Sequence, residues 1–429
     1  MKAKYLKALG VACFFGLVLF LTLNKHSKSG YFNYHSEIWG DKAGYYVYLP
    51  SALKFDFNPS SFPDSVEHRI GNGFTFDKEN GKVITKYTCG VAIMQSPFYC
   101  LADLFAEPLN YEKNGFSPIY HRSIDVASVF YLVLGLIFLF KFLKPRYGPL
   151  HSFVACLLTF AATNLYYYSI AETGMSHVYS FSLFCLFLYF IQATNFLKKS
   201  SFWKNFILGL LMGLIVLIRP TNILFFSTLF FLDSNNLKGI GQRVRNLFTL
   251  TAIGPIITGT LVIMIPQLLY WKYVSGSYIN YSYGEEGFNW LSPKLLHTWF
   301  SPSTGLFTYT PLFFLIILSA LLMIKNKKLN GVFLVTLFLV ISYTFSAWWS
   351  WSFGCAFGHR SFVEYYALFS IPMAYGISEM TKLKLGYKIG LTTIILVFVA
   401  LNIKMIYPFD GCFYGDGLWD WKTYFKHLI

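Results

Sequence analysis

An all-α integral membrane protein of about eleven transmembrane helices, with a long first periplasmic loop carrying a membrane-surface helix, is the fold class this sequence predicts. Three observations predict it. Hydrophobic residues make up 55% of the 429-residue chain and charged residues only 13%, about half the charged share of an ordinary soluble domain. Apolar runs of roughly twenty residues recur from end to end, the length a helix needs to cross about 30 Å of hydrocarbon. The third observation is where the charges fall.

The formal charge is +15, and the basic residues sit in short clusters between apolar runs. The clusters are Lys2, Lys4 and Lys7; Lys141, Lys144 and Arg146; Lys198, Lys199 and Lys204; Lys238, Arg243 and Arg245; Lys325, Lys327 and Lys328; and Lys382, Lys384 and Lys388. The connections between them carry far fewer. This is the asymmetry of cytoplasmic loops, and it accounts for most of the charge without a polyanionic partner, so nucleic acid is excluded as a ligand. Backbone groups in lipid must bond internally, so the apolar runs are helices. The ~10-residue alternating segments of a barrel are absent.

The elements follow in order. Residues 5–23 are apolar behind a Lys-rich start and lack a small-x-small cleavage site, so they read as a retained signal anchor. Residues 24–121 form a polar first outer loop, within which 90–105 is too short and interrupted to span and reads as a helix on the membrane surface. Further spans are expected near 122–141, 149–169, 176–196, 246–270, 306–324, 330–348, 361–379 and 386–406. Residues 205–232 lie between two cytoplasmic clusters, so they cross an even number of times, as two short helices meeting at Arg219 and Pro220. The N-terminus is then inside and the tail 407–429 outside. The loops 24–121, 274–304 and 348–360 share the tail's face, and the whole chain 1–429 reads as a single polytopic domain.

Seven cysteines stand singly, without a C-x-x-C pair. Neither a zinc site nor a disulfide framework is indicated, although Cys89 and Cys100 share the outer loop and would be able to pair.

Residues that carry chemistry collect on the outer face. Just after the first span come His35, Glu37 and Asp41, the two acids four residues apart and thus on one face of any helix that holds them. The cluster would bind a cation or deprotonate a hydroxyl, and equally it would serve as a solvated loop. Tyr45, Tyr46, Tyr48, Leu49 and Pro50 follow and would fix its depth at the interface. Lys86 and Tyr87 precede the surface helix, where a lysine meets a lipid phosphate or reaches for headgroups. Arg219 is the charged residue of 205–232, and an ionisable group there marks a function, phosphate being the natural ligand of a guanidinium. Glu172 and His177 share a short outer turn. Trp348, Trp349 and Trp351 lead to His359 and Arg360 at a helix start, a surface suited to a sugar or a phosphate. Nucleotide and hydrolase fingerprints are absent from the sequence.

In this layout the chain resembles the GT-C superfamily of polytopic glycosyltransferases, which includes protein O-mannosyltransferases and the aminoarabinose transferase of lipid A. The resemblance rests on Gly40 and Asp41 leading through Tyr45 and Tyr46 to Leu49 and Pro50. It extends to Lys86, Tyr87, Gly90 and Pro97; Met175 to His177; Gly213 to Pro220; Phe300 to Phe307; and Ser352 to Arg360. Relatives often carry a proline where His359 stands. The resemblance implies inverting transfer of a sugar from a polyprenyl-phosphate carrier to a lipid, glycan or protein acceptor at the outer face of a bacterial inner membrane. Asp41 would be the base, with Glu37 beside it as a catalytic partner or a bystander. Lys86, Tyr87, His177, Arg219, His359 and Arg360 would bind substrate. No cofactor is assigned; a divalent metal near Asp41, with ligands from Asp410, Asp416 and Asp420, stays open. The alternative is a transporter or flippase of a lipid-linked glycan, against which stands the absence of an internal repeat.

Overall fold

The structure is a computed structural model that describes every residue except 1, 65, 197–200, 235, 414, 416, 418 and 429. The expected roles of Lys198, Lys199 and Asp416 therefore lie outside the described residues. The chain is mainly helical, with one two-stranded hairpin among the described residues. In order the helices are α1 (Lys2–His26), α2 (Asp41–Tyr46), α3 (Tyr48–Leu53), α4 (Gly90–Phe105), α5 (Pro118–Ala161), α6 (Leu165–Ile170), α7 (Ser176–Ala193), α8 (Phe202–Ile218) and α9 (Thr228–Phe231). There follow α10 (Leu237–Leu247), α11 (Leu250–Ser275), α12 (Leu295–Phe300), α13 (Leu306–Tyr309), α14 (Leu312–Lys325), α15 (Leu329–Ala347), α16 (Tyr366–Met380), α17 (Leu385–Ile406) and α18 (Trp421–Leu428). Strands β1 (Thr75–Asp77) and β2 (Lys82–Ile84) pair antiparallel within the first loop.

Among the described residues six helices, α1, α5, α7, α11, α15 and α17, are long and apolar enough to cross a membrane, as a multi-pass membrane protein requires. The spans expected at 122–141 and 149–169 fall on one element, α5, which breaks at Gly148 (φ 78°, ψ 168°) between Pro145 and Pro149. Neither proline donates a backbone N–H, so the turn forms where the ladder is weakest. The second half stops at Ala161 and not at 169. Asn402 of α17 donates to the carbonyls of Ala161 and Thr163 at this helix end.

The bend at Arg219 is present, with a difference. Helix α8 ends at Ile218, Arg219 is extended, and Pro220–Ser227 winds as a 3-10 helix before the single turn of α9. Asn222 bonds the Ile215 carbonyl and Ser180, tying this tight segment to α7 and α8.

Helix α4 occupies the residues expected of the surface helix. It buries Val91, Met94 and Tyr99 while Leu101, Leu104 and Phe105 stay exposed. The long first loop is more than a polar linker, because Tyr46, Val47, Phe62, Ile70, Phe74 and Val83 build a core of their own between α4 and the hairpin.

The two ends of the bundle differ in chemistry. At one end Arg146 pairs with Asp233, Asn330 donates to the same acid, and Arg243 donates to the carbonyls of Leu232 and Asp233. The turns after the expected cytoplasmic clusters thus meet one another. The first loop, the bend at Arg219, the 274–304 and 348–360 connections and the tail meet at a cavity on the other end.

Candidate active site

Gly40 takes a positive φ of 55° and opens α2, so Asp41 stands in the first turn of a helix. A Cβ on Gly44 would lie 2.2 Å from the Tyr87 ring, so only glycine lets that ring lie against α2. Thr85 holds the segment by bonding the Gly44 carbonyl. As a result the Tyr87 hydroxyl donates to Asp41 Oδ1 at 2.5 Å, and Arg360 Nη2 donates to Oδ2 at 2.9 Å.

The two donors leave Asp41 about a third exposed, at 32%, facing a cavity of about 690 Å³. Burial pushes this carboxyl up, but the Arg360 charge and the bonds from Tyr87 and Arg360 outweigh it and hold it below the ordinary value. Burial and the neighbouring Asp41 charge raise the Tyr87 phenol in turn, so it remains a donor.

Three ion pairs line the same cavity. Arg360 holds Asp41, Lys42 holds Glu172 at 2.8 Å, and Lys86 holds Glu286 at 2.6 Å beside the faces of Tyr87 and Tyr283. A fourth cation, Arg219, is anchored from behind by Glu364 at 3.0 Å, whose side chain is fully buried. The Arg219 and Arg360 guanidinium groups lie 5.7 and 5.9 Å from the centroid of the Phe353 ring. The walls thus present four oriented cations whose partner acids have already fixed their geometry. Tyr34, Trp39, Trp348 and Trp349 add aromatic surface to the rim.

The structure brings together Asp41, Lys86, Tyr87, Arg219 and Arg360. His177 stands one layer behind, fully buried, its Nδ1 3.0 Å from Glu364 and 3.2 Å from Arg219, one hydrogen bond at a time, so it meets the cavity only by way of the arginine. His359 does not line the cavity. It packs on Phe345, Phe353 and Phe362 and bonds the Trp351 carbonyl, and burial pushes it down to about 3, so it is a neutral packing residue of this loop.

Glu37 departs furthest from expectation. Its pairing with Asp41 on one helical face is not formed, because α2 begins only at Asp41 and the positive φ of Gly40 turns the chain between them. Glu37 is buried in a separate network, bonded to His26 at 2.8 Å, His121 at 2.7 Å and Arg122 at 3.0 Å. Burial would raise its carboxyl, but the bonds from His121 and His26 hold it well below the carboxylate range. His35 pairs instead with Asp410 at 3.1 Å.

His26, Glu37 and Asp125 bring possible ligand atoms within 4.8 Å of one another. Arg122 bonds both carboxylates, at 3.0 and 2.9 Å, and supplies the positive charge a cation would bring. The residues present therefore do not need a metal, and among the described residues of the tail no acid of the expected kind stands beside Asp41. Asp420 caps the Thr423 N–H, and Asp410 is engaged by His35.

Sequence reasoning missed Glu286, Lys42 and the disulfide between Cys355 and Cys412. Cys89 and Cys100, the pair considered possible, are free, one buried and one exposed. The bridge joins the Trp-rich loop to the tail, so that Gly411 reaches the cavity rim. The available sequence signal was location alone, since both bridged cysteines fall on segments assigned to the outer, oxidising side. The sequence matches no known protein-family profile, and it matches no curated protein.

Proposed function

We infer that the protein is a membrane glycosyltransferase of the GT-C type, moving a sugar from a polyprenyl-phosphate carrier to a lipid, glycan or protein acceptor. The observation that carries this reading is the Asp41 carboxylate, open to a large cavity and set among four oriented cations and aromatic rings. An acceptor hydroxyl attacks the anomeric carbon while the bond from that carbon to the carrier phosphate breaks. The proton passes to Asp41, the bonding pair leaves with the phosphate, and the anomeric centre inverts. Arg219, Arg360 and Lys86 face the charge that grows on the leaving phosphate. A lipid phosphate leaves without a nucleotide site, which fits a chain lacking nucleotide fingerprints.

The same reading takes the shorter apolar segments 202–218, 220–231 and 312–325, the 15-residue α16 and both halves of α5 as crossings. Eleven spans result, with the cavity facing the periplasm of a bacterial inner membrane. The meeting of basic turns at the opposite end supports this orientation.

Replacing Asp41 by Asn keeps its size and removes the base. Transfer measured in membranes with a labelled lipid-linked sugar is expected to fall by about 10²-fold or more at normal expression. Unchanged transfer would remove the mechanism.

A further inference from the structure

Helix α17 is attached to the bundle at one end only. Its buried residues are Asn402, Met405 and Ile406, all in its last two turns, where Asn402 reaches across to α5. The opposite half stands away from α14 and α16, and a cavity of about 420 Å³ remains between them. Its walls are apolar, with Leu315 and Leu322 from α14, Met373 and Ile377 from α16, and Leu391 and Ile395 from α17. The groove is distinct from the cavity at Asp41, with which it shares no lining residue.

A gap between spans is costly to leave empty, because its lining atoms lose their contacts on one side. It cannot be filled with water either, since the walls offer a water few of the two to four polar partners it needs. A hydrocarbon chain from the surrounding bilayer satisfies both conditions.

The mouth of the groove says which lipid. It carries Glu379 and Lys382, paired at 2.7 Å, with the lysine side chain still 65% exposed. Lys384 is exposed at the cap of α17, and Lys388 follows one turn later. Lys328 lies 5.8 Å from the ring of Tyr375, which precedes the groove residue Gly376. Lys382 lines the groove while Lys384 and Lys388 follow it in the chain at the start of α17, so basic residues outnumber the one acid, Glu379, at this end, and basic pockets between spans on the cytoplasmic side select anionic headgroups.

We propose that this groove binds one acyl chain of an anionic glycerophospholipid, whose headgroup rests on Lys382, Lys384 and Lys388. The bound lipid completes the packing of α17 and is retained when bulk lipid is removed. The proposal depends on membrane embedding and not on sugar transfer.

The test uses the full chain in a nonionic detergent. Native mass spectrometry reads which lipid stays bound, and thermal unfolding is followed after adding phosphatidylglycerol or phosphatidylcholine. The wild type is expected to retain stoichiometric phosphatidylglycerol and to melt several degrees higher with it than with phosphatidylcholine. Ile395→Trp fills the groove and is expected to lose the bound lipid. The double variant K384E/K388E leaves the groove open and is expected to lose the preference between the two lipids. Equal effects of the two lipids on the wild type would overturn the proposal, as would retention of no lipid. A dimer mass in place of a lipid adduct would assign the groove to a second copy of the chain and overturn it as well. The wild-type comparison stands even if a variant fails to fold.

Discussion

At the scale of single residues, Asp41 is defined by the two groups that hold it. Its carboxyl lies below the ordinary value of 3.8 because Arg360 and Tyr87 favour the charged form over the opposing effect of burial. A carboxyl depressed on folding adds stability above that ordinary value and loses it as pH falls through the folded value. Asp41 is therefore ionised across the neutral range, as the proposed base requires, and the acid limb predicted for transfer lies low. Arg360→Gln removes the charge and leaves burial, so the pKa of Asp41 rises. The acid limb of the transfer rate against pH is then expected to move upward, and an unmoved limb would show that Arg360 does not set this charge. One layer back, Glu364 is fully buried and bonded to Arg219 and His177. Its presence in an apolar stretch was legible as an anomaly. Its partners were not, because they lie 145 and 187 positions away along the chain.

At the scale of elements, the site depends on how closely short helices approach. A Cβ on Gly90 would lie 2.4 Å from the Leu217 carbonyl carbon and 2.5 Å from the Ile218 nitrogen, both backbone atoms that cannot rotate away. Gly90→Ala must therefore push α4 from α8, which separates Lys86 and Tyr87 from Arg219. We expect a loss of about 1–3 kcal/mol of stability from overpacking, together with reduced transfer, checked by thermal unfolding and by the membrane assay. A substitution that leaves both unchanged would show that α4 is free to move. The bounds of α4 and the stop before Pro220 were readable because proline and the length of an apolar run act locally. The 3-10 course of Pro220–Ser227 was not, since it rests on bonds from Asn222 to Ser180 of α7 and to Ile215.

For the molecule as a whole, chemistry separates toward two ends, with the basic turns around Arg146 and Arg243 at one and the aromatic cavity, its cations paired with acids, at the other. The proposed orientation predicts how each end labels in intact cells. In a background with Cys13 and Cys100 replaced by Ser, a cysteine at exposed Glu285 is expected to react with an impermeant maleimide from outside. A cysteine at exposed Lys327 is expected to react only after the membrane is opened. The opposite pattern would invert the protein and place Asp41 in the cytoplasm.

Membrane residence, helical class, and the expected division of loops between two faces came from the sequence alone. Each follows from local quantities, the length of apolar runs and the position of charge, that do not depend on which segments meet. Asp41, Lys86, Arg219 and Arg360 were recognisable one at a time for the same reason. Tertiary structure alone decided that Asp41 faces Arg360 across 319 positions, that Glu37 belongs to another network, and that Cys355 meets Cys412. Those pairings depend on helix packing at distances the chain does not encode in any window, and a single positive φ at Gly40 suffices to separate a pair of acids that a helix would have aligned.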